Sequence, residues 1–71
     1  MTTMHRATAA ILEHFTFDHL PAELQRVSAP FSQLAHAVAT GGTSGPETTT
    51  CLRKLLEAKD CAVRAALKER Q

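Results

Sequence analysis

Leu20, Leu24, Val27, Phe31, Leu34 and Val38 recur at alternating spacings of four and three residues. That rhythm admits little besides a helix carrying a continuous apolar seam, the kind two helices bury against each other at a shallow angle. A half-buried strand would need apolar residues at every second position, and no stretch of the chain alternates in that way or repeats itself. The expected fold class is therefore all-α.

Two breaks bound the seam. Asp18-His19-Leu20-Pro21 separates it from the N-terminal segment, and Thr40-Gly41-Gly42-Thr43-Ser44-Gly45-Pro46 separates it from the C-terminal one. Three helices are expected: a short N-terminal one over about 3–14, with Met4, Ala7, Ile11 and Phe15 as its apolar stripe, then about 21–40 and about 46–69 as a long antiparallel hairpin, all in a single domain over 1–71. Pro21 and Glu23 suit the first turn of the second helix, and Gly41 stops it. Pro30 predicts a kink near Val27 to Pro30, or a restart there with Ser28 as cap. Ser44 is the expected cap of the third helix, with Pro46 in its first turn and Glu47 completing a capping box.

The third helix carries two apolar stripes. Cys51, Leu55, Ala58, Ala62 and Ala65 form one; Leu52, Leu56, Val63 and Leu67 form the other. A hairpin needs only one, so the Leu52, Leu56, Val63 and Leu67 stripe is expected to be an oligomer interface. Composition argues in the same direction. Twelve of the 71 residues are alanine, there is no Trp or Tyr, and three Phe remain; small scaffolds with so thin a core commonly gain stability by oligomerising.

Charge and cysteine content narrow the function. Eight Lys plus Arg against seven Asp plus Glu leave a net charge of +1, without the basic field that DNA binding requires. No stretch approaches the roughly 18 apolar residues of a membrane span, and the N-terminus has no secretory signal pattern. Cys51 and Cys61 lie on one helix, two to three turns apart, where an intrachain disulfide is excluded, and a reduced, cytoplasmic setting is expected. His5, His14, His19 and His36 show no metal-ligand spacing, and the chain has no glycine loop or carboxylate pair, so neither a metal, a cofactor nor an enzyme is expected. His36 reads as a half-exposed helix residue. Both cysteines, mid-helix among apolar neighbours, read as inert thiols.

Two places suggest a ligand. Thr48, Thr49 and Thr50 precede Arg53 and Lys54 at a helix N-terminus, which groups hydroxyls, first-turn N–H groups and two cations where phosphate is readily held. A Thr run after a cap also simply solvates a first turn, and Arg53 with Glu57, like Asp60 with Arg64, makes ordinary i, i+4 pairs. In Phe15-Thr16-Phe17-Asp18-His19, Phe17 is placed either to stack on a planar ring or to staple the helix entry.

From Phe15-Thr16-Phe17-Asp18-His19-Leu20-Pro21, through the seamed helix, to Gly45-Pro46-Glu47-Thr48-Thr49-Thr50-Cys51-Leu52-Arg53-Lys54-Leu55-Leu56-Glu57-Ala58, the chain resembles the helical-hairpin domain of phage anti-CBASS and anti-Thoeris sponge proteins. The resemblance covers about residues 15–67. It implies immune evasion in an infected bacterial host cell. A compact homo-oligomer, often a hexamer, would bind cyclic dinucleotide or trinucleotide messengers in pockets between protomers and withhold them without cleavage. On that resemblance Phe17 matches a family aromatic that stacks a base, with His19 beside it. Pro46 stands where many members carry a phosphate-directed Arg, so phosphate would fall to Thr48, Thr49, backbone N–H groups and Arg53 or Lys54. The competing reading is an oligomeric hairpin for protein–protein interaction without a nucleotide ligand.

Overall fold

A computed structural model describes residues 6–42 and 45–69. The described residues are all-helical, with no strand: α1 spans Arg6–Leu12, a 3-10 turn follows over Glu13–Phe15, α2 spans Ala22–Ala39 and α3 spans Pro46–Glu69. Met4 and Ser44, to which the sequence assigns a stripe position and a cap, lie outside the described residues.

The short first segment buries Thr8, Leu12 and Phe15, while Ala7 is exposed and Ile11 half-buried. Phe15 and Ile11 of the expected stripe do face the core, whereas Ala7 does not, and Thr8 and Leu12 point inward beside them. Three residues per turn place i and i+3 one above the other, so the 3-10 turn sets Phe15 directly beyond Leu12. Thr16 then leaves in an extended conformation, its hydroxyl donating to the Glu13 carbonyl at 2.9 Å. The Gln25 side-chain amide donates to the Leu20 carbonyl at 2.7 Å and so ties this connection to α2.

α2 runs through Pro30 without a break, and Ser28 is a buried mid-helix residue, not a cap. Proline denies the Arg26 carbonyl its helical donor, but Arg26 and Pro30 are both on the exposed side, where water can satisfy that carbonyl. The helix ends where Thr40 folds back. Its N–H and hydroxyl both donate to the His36 carbonyl, at 3.0 and 2.7 Å, and Gly42 then takes a φ of 89° that favours glycine.

The inward face of α2 is offset from the seam: Leu24 belongs to both, and Phe31 and Val38 pack half-buried against the core from its edge. Its buried residues are Leu24, Ser28, Ser32 and Ala35, whereas Leu34 is 51% exposed. At 3.6 residues per turn, the direction of Ser28 and Ala35 lies roughly 75° around the axis from the middle of the seam. Packing supplies the reason. Ala35 shares one core with Leu12, Phe15 and Leu52, of which Phe15 and Leu52 are completely buried; small side chains on α2 leave the volume that these large ones fill.

α3 follows the same logic. Gly45, with a φ of 116°, turns the chain into the helix, and the Thr49 N–H closes its first turn on the Gly45 carbonyl at 3.1 Å. Its buried residues are Thr48 and Leu52, with Leu55, Leu56, Ala62 and Val63 half-buried. The inward face thus runs between the two sequence stripes and takes residues from both. Leu52 is a correction to the expected oligomer interface, because it lies in the protomer's own core; Leu56 packs against that core, and Leu67 is 41% exposed. The molecule measures 44 × 20 × 16 Å. None of the described helices is long and apolar enough to cross a membrane.

Candidate functional site

The first two turns of α3 present their side chains in three directions, about 100° per residue apart. Thr48 points inward and is 8% exposed, so it belongs to the packing and not to a surface ligand set. Thr49 and Arg53, one turn apart, share a flank and line a shallow depression of about 360 Å³ with Gly45, Pro46 and Thr50. Lys54 lies around the helix from Arg53 and lines a second depression of about 420 Å³ with Glu47, Thr50, Cys51 and Leu55. The two cations therefore serve neighbouring hollows and do not converge on one. The Thr50 hydroxyl is committed locally, donating to the Pro46 carbonyl at 2.8 Å.

The Thr49 and Arg53 hollow has the chemistry of an anion site. A hydroxyl, a guanidinium with several donors and the positive end of a 24-residue helix face the same open volume. Arg53 and Glu57 do not form the expected ion pair, and among the described residues no carboxylate neutralises the guanidinium. Asp60 likewise pairs with Lys59 at 3.0 Å and not with Arg64.

Phe17 and His19 lie elsewhere. Phe17 is half-buried in the connection before α2, and His19 is exposed in a groove of about 380 Å³ shared with His14, Leu20, Lys59, Val63 and Arg64 among others. From Arg53 to Arg64 the helix rises about 16 Å, so one protomer separates the six candidate ligand residues into distinct places. His14, Lys59 and Arg64 carry no ligand signal in the sequence, because residues 13–20 meet residues 59–64 through tertiary packing and no local spacing records it.

Other chemistry is sparse. Among the described residues no group of three or more His, Cys, Asp or Glu is placed to hold a metal ion. Both cysteines are free, exposed thiols; Arg64 donates to the Cys61 Sγ at 3.3 Å. His36 is exposed, its Nδ1 lying 2.8 Å from the Ser32 carbonyl.

No family model matches this chain, and no curated protein or solved structure matches it either.

Proposed function

We propose that this chain binds cyclic dinucleotides or trinucleotides and sequesters them intact, as an immune-evasion sponge of the phage type acting in the cytoplasm of an infected bacterium. The observation that carries the reading is the Thr49 and Arg53 hollow at the start of α3, where an unneutralised guanidinium and a hydroxyl flank a helix N-terminus. A cyclic dinucleotide carries two phosphates, and a symmetric assembly offers it two such hollows. The hollow on one protomer is shallow, and His19 lies far from it along α3. A homo-oligomer, in the hexameric form the resemblance implies, would therefore complete each pocket with Phe17 and His19 of another copy.

The helical arrangement proposed for this role is an antiparallel α2–α3 hairpin. Leu20, just before α2, shares a groove with Lys59 and Val63 of α3, while Ala35, near the end of α2, shares a core with Leu52.

Calorimetric titration of the full chain against a panel of cyclic dinucleotides and trinucleotides tests the function, with ligand released by heating checked for integrity. Tight binding and intact ligand are expected. No binding across the panel, or recovery of linear product, would overturn the reading. The exposure of Leu34 and Leu67 favours a second reading, a helical-hairpin interaction module without a nucleotide ligand, and failure of the whole panel would leave that one standing.

A further inference from the structure

The 3-10 turn and the connection after it lie against the second half of α3, and the groove between them gathers hydrogen-bond donors from two distant stretches of chain. His14 and His19 come from one side, Lys59 and Arg64 from the other, and half-buried Leu20 and Val63 supply apolar surface. Its volume of about 380 Å³ lies within the range of small-molecule sites.

The charges in the groove are unevenly spent. Two carboxylates, Glu13 and Asp60, also line it. Asp60 is taken by Lys59 at 3.0 Å, and the Lys59 side chain is only 14% exposed. Arg64 has no carboxylate partner among the described residues; its guanidinium donates to the Cys61 Sγ at 3.3 Å, and a thiol is a weak acceptor that leaves the positive charge in place. Glu13 is exposed, where water and salt screen it. An anion entering the groove therefore meets an uncompensated, many-donor guanidinium on the α3 side and imidazole donors on the other.

We propose that this groove binds a phosphate monoester, with Arg64 and Lys59 on one side of the phosphate, His14 and His19 on the other, and the organic group against Leu20 and Val63. Donor placement selects phosphate. A terminal phosphate has three oxygens pointing in different directions and accepts from both sides of the groove at once, whereas a carboxylate offers two oxygens in one plane along one edge. The apolar residues select the ester over the free ion, because inorganic phosphate leaves Leu20 and Val63 uncovered. The site lies about 16 Å along α3 from Arg53, is complete within one protomer and gives His19 partners of its own chain. It stands apart from the proposed function, since it needs neither assembly nor a cyclic ligand, whose phosphates are diesters.

Calorimetric titration of the full chain with phenyl phosphate, inorganic phosphate and benzoate tests it, alongside Arg64→Gln, His19→Ala and Arg53→Gln, with circular dichroism checking that each variant stays helical. Expected are saturable binding of phenyl phosphate, weaker binding of inorganic phosphate and of benzoate, a loss of about tenfold or more for Arg64→Gln, a smaller loss for His19→Ala, and no change for Arg53→Gln. No saturable binding of phenyl phosphate, or binding that Arg64→Gln leaves intact, would overturn the site. Benzoate binding as tightly as phenyl phosphate would overturn the assignment to phosphate, and inorganic phosphate doing so would overturn the ester. Loss with Arg53→Gln in place of Arg64→Gln would put the phosphate in the hollow at the start of α3 instead. The cyclic nucleotide panel reads the proposed function separately, because none of its ligands enters these titrations.

Discussion

Leu52→Ala separates a core residue from an interface residue. The side chain is completely buried and shares its cluster with Leu12, Phe15 and Ala35. Truncation removes apolar carbon worth about 2.5 kcal/mol at roughly 0.8 kcal/mol per buried methylene. The void between Phe15 and Ala35, only partly closed by relaxation, raises the loss to about 3–4 kcal/mol. Small domains hold about 5 kcal/mol or less, and each kilocalorie moves the midpoint by about 4–8 °C. Thermal unfolding followed by circular dichroism should therefore drop by at least about 12 °C, or the variant should be unfolded at room temperature. Concentration is the deciding variable. A core defect depresses the midpoint equally at two protein concentrations about a hundredfold apart, whereas a defect confined to an interface largely disappears on dilution, as the wild type loses the same contact. A drop below about 1 kcal/mol, or one that vanishes on dilution, would refute the assignment of Leu52 to the protomer core.

Ser28→Ala should leave stability unchanged or raise it by up to about 1 kcal/mol in denaturant titration, because the buried Ser28 hydroxyl has no hydrogen-bond partner among the described residues and Ala is the better helix former; a loss above that size would reveal a partner. Pro30→Ala restores a helical donor on the exposed side of an unbroken α2 and should raise stability by about 1–2 kcal/mol after the entropy gained by the unfolded chain, read as a higher unfolding midpoint; a lower midpoint would mean that the proline ring makes a needed contact. Arg53→Ala should weaken cyclic dinucleotide binding about ten- to a hundredfold in calorimetry with the unfolding midpoint unchanged, the size of one lost charged hydrogen bond. Lys54→Ala, in the neighbouring hollow, should change it less, and equal losses would place both cations on one ligand.

Local rules settled much of the architecture. The absence of strand alternation makes the chain helical, and Gly45-Pro46 starts α3 where glycine supplies a φ of 116° and proline a helical first residue. Those properties belong to single residues and their immediate neighbours, so they are legible in one dimension. Which face each helix turns inward is a property of three segments at once. The seam of α2 names its most apolar side, yet Phe15 from the 3-10 turn and Leu52 from α3 share their core with Ala35, so the inward line of the helix is offset from the seam toward its small residues. The same collective constraint draws Thr48 and Leu52 inward, spreads Arg53 and Lys54 over separate hollows and leaves Leu34 in solvent. Periodicity thus determined that helices form and where they stop, while the packing of unequal side chains around a small core decided which residues remain outside.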